Sequence, residues 1–194
     1  MARVKEFNKE EVLNKAIEIF WLYGYKNTSA KDLVEGLGIS RSSIYDTYGD
    51  KRTLFIAALK EYRRRVAGGL IEFTSHSTNA ALTIKQILKA IVSDSLQDKI
   101  PRGCFLVNSA IELAPHDSEI ADIVNGNLKD IEEALYRTIK MGQEEGKFSK
   151  KHSARSLARF LYNSISGIRV AAKSGVDKKI YDDVTRVTLS VLYK

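Results

Sequence analysis

Apolar residues recur at helical spacing along almost the whole chain, and no convincing run of strict alternation marks a strand. Val12, Ala16, Ile19, Phe20 and Tyr23 fall at i, i+4, i+7, i+8 and i+11, which predicts a first helix over about 9–23. Asn8 suits its cap and Gly24 its stop. A short helix over about 30–36 follows, capped by Thr28 or Ser29. The turn LGIS comes next, where Gly38 tolerates the positive φ a tight turn requires. Ser40 caps a third short helix reaching Tyr48, and Gly49 ends it. Asp50 opens a longer fourth helix to about Phe73.

The polar stretch 74–79 reads as a linker. A helix over about 80–96 carries Leu82, Ile87, Leu88, Ile91 and Val92. Pro101 and Pro115 then bracket a compact apolar helix, GCFLVNSAIEL, because proline disfavours helix immediately before it. The longest pattern runs from Ser118 to about Glu145, with Ile120, Val124, Leu128, Ile131, Leu135 and Ile139 stepping by 4, 4, 3, 4 and 4. Gly146 terminates it. Ser153 opens an eighth helix with Leu157, Ala158, Leu161, Ile165, Ile168 and Ala172 on one face. The last, over about 180–192, carries Val184, Val187 and Val191. The expectation is an all-α protein of nine helices.

Composition narrows the class. The 194 residues are 44% apolar and 28% charged, with 12 Gly and 2 Pro, which excludes collagen-like and low-complexity chains and leaves ample material for a core. A single cysteine forms no internal disulfide and points to a reducing compartment. The opening MARVKEFNKEEV lacks the apolar centre of a secretory leader, and no run of about 18 apolar residues appears, so a cytoplasmic protein with no membrane partner is expected. His76, His116 and His152 lie far apart and have one Cys to help, so no metal or cofactor is expected. GxSxG, P-loop and HExxH patterns are missing, and catalysis is not expected.

Charge changes the picture more. Lys plus Arg number 31 against 24 Asp plus Glu, a net +7. Up to Arg65 there are 13 basic and 9 acidic residues, net +4, and beyond it 18 and 15, net +3. The positive charge is denser in the first third. Such a balance favours phosphate-bearing partners through counterion release and steering, although solvated lysine faces give the same sum. The triplet Arg63, Arg64, Arg65 fits a solvated helix face.

The informative segment is TSAKDLVEGLGISRSSIYDTYGDK, Thr28 to Lys51. Two short helices joined by a glycine-containing turn make a helix-turn-helix. Leu33, Leu37, Ile39, Ile44 and Tyr48 supply its inward cluster. The outward positions of the second helix, Arg41, Ser42, Ser43, Tyr45, Asp46 and Thr47, are small or polar, as a major groove about 12 Å wide demands. The helix starts at Ser29, Ser40 and Asp50 offer backbone N–H groups to phosphate. A helical hairpin packing on a protein surface is the other reading of these residues.

The order T-S-x-K-D-L, L-G-I-S, S-I-Y-x-x-Y-G-D-K ahead of a long helix resembles the DNA-binding domain of the TetR/AcrR family of transcriptional regulators. The resemblance implies a helix-turn-helix domain over 1–49 and a ligand-binding and dimerisation domain over 50–194, joined through the helix over 50–73. It further implies a homodimer, usually a repressor, on double-stranded DNA with an inverted-repeat operator, released by a small-molecule effector. Matched by position, Arg41, Ser42, Ser43 and Thr47 are the base readers, and Thr28, Lys31, Tyr45 and Lys51 meet the phosphate backbone or groove wall. Asp46 departs from that pattern, since phosphate repels a carboxylate; it either accepts from a cytosine or pairs with Arg41. An architectural DNA binder with a filled body core shares the same head.

The stretch GCFLVNSAIELAPHDSEIADIV also resembles a recurrent part of the family's ligand domains. It offers Cys104, Phe105, Asn108 and Glu112 as pocket residues, joined by Tyr162, Ser166 and Arg169 from the more polar face of the eighth helix. Cys104 reads either as a small buried hydrophobe or as a redox or electrophile sensor biased by Arg102. Asn108 and Glu112, one turn apart on an apolar helix, either orient a ligand or serve the helix end. Leu161, Ile165, Ile168, Val184, Val187 and Val191 are the expected dimer contacts, in a four-helix interface with the partner copy.

Overall fold

In the computed structural model, which describes residues 7–97 and 100–193, short polar side chains set where most helices begin. The described residues form α1 (Lys9–Asn27), α2 (Ala30–Leu37), α3 (Arg41–Tyr48), α4 (Lys51–Ser75), α5 (Ala80–Gln97), α6 (Phe105–Glu112), α7 (Ser118–Glu144), α8 (Ala154–Lys173) and α9 (Lys178–Leu192), with no strand. Asn8, Ser29, Ser40, Asp50, Asp117, Ser153 and Asp177 each accept a first-turn amide of the helix they precede. Such a cap contributes about 1 kcal/mol. The expected domain limits begin and end in residues 1–6 and Lys194, which lie outside the described residues.

Three helix ends differ from the sequence expectation, each for a local reason. At Gly24 the chain kinks, with φ 79° and ψ 174°, and a last helical turn resumes to Asn27. The amides this break strands are taken up from elsewhere: the carboxylate of Glu112 accepts from Tyr25 and Lys26. α4 runs on into the polar linker to Ser75, where the hydroxyls of Thr74 and Ser75 donate back to the carbonyls of Leu70 and Glu72. α6 starts at Phe105 rather than Gly103, whose φ of 68° is not helical.

The buried apolar residues gather in two clusters. One joins α1–α3 (Val12, Ala16, Phe20, Leu33, Leu37, Ile44) to the first half of α4 (Leu54, Phe55, Leu59), and continues into α6 and the start of α7 through Phe105, Leu106, Ile120 and Ile123. Edge-to-face aromatic contacts run through it, Phe20 to Phe55 at 5.1 Å, Phe55 to Phe105 at 5.3 Å and Phe105 to Tyr62 at 5.6 Å. The second cluster holds Ile84 and Leu88 of α5, Leu135 and Ile139 of α7, Leu157 and Leu161 of α8, and Tyr181 and Leu192 of α9. We call α1–α3 the head and the remainder the body.

Candidate functional site

α2 ends where Gly38 takes the left-handed conformation, φ 71°, and its amide donates to the Val34 carbonyl at 3.1 Å. The turn delivers Ser40 as cap of α3, and buried Ile44 pins that helix to the head core. On the outer side Arg41, Ser42 and Asp46 are exposed, while Ser43, Tyr45 and Thr47 are half-buried. The Ser40 hydroxyl lies 2.9 Å from that of Ser42 and 2.8 Å from that of Ser43, a cluster of hydroxyls at the start of α3. Arg41 sits over the Tyr45 ring, 5.5 Å from its centroid, and no ion pair among the described residues joins it to Asp46. Lys31 on α2 is exposed beside Glu35.

Two expected phosphate contacts are placed differently. Thr28 is 1% exposed and its hydroxyl donates to the Gly24 carbonyl at 2.6 Å, so its side chain faces the core. The Lys51 ammonium donates to the Thr28 carbonyl at 2.7 Å and lies 4.4 Å from the Tyr25 ring centroid. Both serve the kinked joint between α1, α2 and α4, because the break at Gly24 leaves polar backbone there that must be paired.

A cavity of about 770 Å³, open on one side, lies in the body between α4, α5, α6, α7 and α8. Its walls are mostly apolar, among them Val66 and Phe73 of α4, Ile87 and Ile91 of α5, Val107 of α6, and Val124 and Leu128 of α7. Four of the expected ligand residues line it, Cys104, Tyr162, Ser166 and Arg169. Phe105, Asn108 and Glu112 do not. Phe105 and Glu112, seven residues apart, turn with Ser109 toward α1 and α4, while Leu106, Val107, Ala110 and Ile111 form the cavity side of α6. Phe105 is buried between Phe55 and Tyr62. The Asn108 side-chain amide donates to the Arg102 carbonyl at 2.9 Å, and Glu112 is engaged with the head.

Cys104 is buried, and the Tyr62 hydroxyl donates to its sulfur at 3.8 Å. Burial pushes the Tyr62 phenol well above its ordinary pKa, and burial also raises that of Tyr162. Arg102 stacks on Trp21, 4.3 Å from a ring centroid, and pairs with Glu18. Asp94 and Asn127 also stand in the wall, beyond the residues expected there from the sequence. Asn127 was visible in principle, since it interrupts the apolar stripe of α7 between Val124 and Ile131. It is 7% exposed, and its Oδ1 is buried without a partner. No group of three potential metal ligands occurs among the described residues, and no described helix is long and apolar enough to cross a membrane.

The expected dimer contacts divide. Leu161 and Ile168 belong to the core of their own protomer, and Ile165 faces the cavity. Val184 and Val187 are exposed, with Val191 half-buried beside them. The outer face of α8 instead carries Phe160, Asn163, Gly167 and Val170, all exposed, and α9 adds Ile180. α8 therefore has apolar residues on two faces, and the inner one is the more continuous.

The family model described as "Bacterial regulatory proteins, tetR family" matches residues 12–58, and "Tetracyclin repressor-like, C-terminal domain" matches residues 82–188. The chain belongs to the tetR family. It is a helix-turn-helix regulator of transcription. The HTH-type transcriptional regulator YezE of Bacillus subtilis (strain 168) is 36% identical over 193 residues, covering 99% of this chain and 100% of the relative. The HTH-type transcriptional repressor ComR of Escherichia coli (strain K12) is 28% identical, over 96% and 90% of the two chains. Among solved structures, a cysteine mutant of the TetR family transcriptional regulator CifR, complexed with 26-bp double-strand operator DNA, superposes with a TM-score of 0.85. It is 23% identical, over 98% of this chain and 100% of that one, and shows the shared fold.

In this tetR-family chain, charged straps tie α4 to α7. Arg52 donates to both carboxylate oxygens of Asp117 at 2.8 and 2.9 Å and to Glu119 at 3.2 Å, and Lys60 donates to Glu119 at 3.0 Å. The Arg52 guanidinium holds the Asp117 carboxyl below its usual range. Arg63 is half-buried and donates to Asp130 at 2.6 Å, so the arginine triplet is not uniformly a solvated face; Arg64 and Arg65 are exposed and pair with Glu61. Exposed pairs contribute only about 0.2–1 kcal/mol each, so these straps fix orientation more than stability.

Proposed function

We propose that this tetR-family regulator is a homodimeric repressor whose grip on an inverted-repeat operator is released when a small molecule enters the body cavity. The observation that carries the reading is the double use of α6. One side of it walls the cavity with Leu106, Val107, Ala110 and Ile111; the other meets the head through Phe105 and Glu112. A ligand that displaces α6 therefore acts on the position of α3. Residues 1–49 serve as the DNA-binding unit and 50–194 as the effector and dimer unit. Lys31, Arg41, Ser42, Ser43, Tyr45 and Thr47 contact DNA. Phe160, Val170, Ile180, Val184 and Val187 face the partner copy. The names of the relatives support this direction, ComR being a repressor and CifR having been captured on operator DNA. The regulator works in the cytoplasm and has no catalysis of its own.

A cavity of about 770 Å³ lies within the range of roughly 300–1,000 Å³ that drug-sized ligands occupy, which favours this over a ligand-independent architectural role. A tenfold change in operator occupancy needs a difference of only about 1.4 kcal/mol in ligand affinity between the two head arrangements. The test is selection of genomic fragments by the purified protein, then titration of the selected site with and without metabolite extract. A two-fold footprint weakened by extract supports the reading. A non-palindromic footprint, or one indifferent to every extract fraction, overturns it.

A further inference from the structure

Resting on the reading of the body cavity as an effector site, we infer that its ligand is an acidic amphiphile, an apolar molecule with a single carboxylate that Arg169 receives in exchange for Asp94. The apolar walls of α4, α5, α6 and α7 set the body of the ligand. Among the described residues lining the cavity, Arg169 is the one cation and Asp94 the one anion. Their closest approach is 3.5 Å, longer than a well-made charge-assisted hydrogen bond of about 2.7–2.9 Å. Their surroundings differ sharply. The Arg169 side chain is 21% exposed, whereas that of Asp94 is 66% exposed.

The exchange follows from that asymmetry. Asp94 returns to water with little penalty, because most of its side chain is already in water. Arg169, on the cavity wall, gains a planar carboxylate partner that its guanidinium fork fits with two N–H donors. A neutral ligand leaves the loose pair intact and gains nothing from it. A cationic ligand meets Arg169 as a like charge and reaches only Asp94 at the watery rim. A doubly charged phosphate calls for a second cation, and the neighbouring Arg102 is held by Glu18 and Trp21. A monoanionic carboxylate is the head group that balances the site.

The site also sits where binding is felt. Asp94 belongs to α5 and Arg169 to α8, so the exchange removes the ion pair between those helices. The backbone carbonyl of Arg169 lies against Gly103, where an added Cβ would stand 2.8 Å from it, and Gly103 leads directly into α6. Movement of Arg169 toward a ligand is therefore transmitted to the helix that holds the head.

The test uses the full-length protein, isothermal titration calorimetry at neutral pH and three probes of equal chain length, decanoate, decan-1-ol and decylamine, below their aggregation limits. Decanoate is expected to bind about tenfold or more tightly than either of the others. Asp94→Asn removes the competing anion and should tighten decanoate binding several-fold while leaving decanol unchanged. Arg169→Met should abolish the preference for the acid without abolishing decanol binding, and Asp94→Asn decides the matter if the methionine variant fails to fold. The inference is overturned if decanol or decylamine binds as well as decanoate, or if Asp94→Asn weakens the acid. If decanol or decylamine binds best and alone lowers operator affinity, effector control stands while the acidic ligand falls. If none of the three binds, the acidic-amphiphile inference fails, and operator titration with metabolite extract then judges the broader reading separately.

Discussion

The carboxylate of Glu112, at the end of α6, accepts the backbone N–H of Lys26 at 2.8 Å, reaching from the body into the break of α1. Its second oxygen accepts from Tyr25 at 3.2 Å. Both amides lie just past the Gly24 kink, the Tyr25 one part-buried and the Lys26 one exposed, so losing their acceptor costs about 1 kcal/mol, the low end for an unpaired donor. Glu112→Ala is therefore expected to lower unfolding stability by about that amount in chemical denaturation. It should also weaken operator binding, because the head loses its fixed angle to the body. Unchanged stability and affinity would show the contact to be incidental.

Base reading and joint building should separate by mutation. Arg41→Ala is expected to cost about 1–3 kcal/mol on the best site and to relax sequence preference. Lys31→Ala should weaken specific and random DNA alike and reduce the salt slope by about one. Thr28→Val belongs to neither class: it removes the donor to the Gly24 carbonyl, so it should lower the melting temperature before it alters sequence preference. Fluorescence anisotropy on specific and scrambled duplexes, beside thermal denaturation, checks all three. A purely DNA-binding defect in folded Thr28→Val contradicts the burial argument.

The exposed apolar face of α9 and the inner apolar face of α8 should respond in opposite ways. Val187→Asp places a charge on an exposed apolar face of α9 and should split the dimer while leaving the protomer folded. Leu161→Ala empties space in the core of one protomer and should cost about 2–5 kcal/mol of stability, with the oligomeric state of the folded fraction unchanged. Sedimentation velocity and denaturation melts together test the pair. Dissociation by Leu161→Ala alone would reverse the assignment.

Acid should loosen α4 in a defined window. The Glu61 carboxyl is held down at about 2, first by the Arg64 guanidinium and also by Arg65, which in turn bonds Asn14 of α1. Its folded value lies below the ordinary 4.5, so this part of stability is complete above pH 4.5 and fades as pH falls toward 2. Glu61→Gln should flatten the stability profile across that interval and leave its slope above it unaltered. Urea midpoints measured from pH 6 to pH 2 decide the matter; parallel curves for the two proteins would refute it.

Much of this architecture could be read from the residues, because the local rules that end helices act over a few positions. Asn8, Ser40, Asp50 and Ser153 cap the helices they were expected to cap, and the α7 stripe from Ile120 to Ile139 faces inward throughout. Within that stripe, spacing alone does not separate Leu135, which meets other side chains, from Leu128, which meets a cavity. Asn108 and Glu112 were harder for a related reason. A polar residue on an apolar helix answers equally well to a ligand or to a neighbour's stranded backbone, and the strand of chain that needed Glu112 lies 86 residues away. Periodicity places Leu161 and Ile168 equally well against a partner copy or against their own protomer, because both faces of α8 carry apolar groups and spacing does not say which face a helix keeps for itself.

The double duty of α6 leaves unequal room for divergence around the cavity. On the proposed mechanism, a substitution at Val107 or Ala110 that admits a new effector also shifts Phe105 and Glu112, and so alters operator affinity when no effector is present. Away from Asp94, α5 carries no such burden, since it packs on α7, α8 and α9. Descendants of this protein that change effector without losing operator affinity should accumulate their differences at Ile87 and Ile91. A directed-evolution campaign that randomises α5 should retain more functional clones than one that randomises α6 at equal depth.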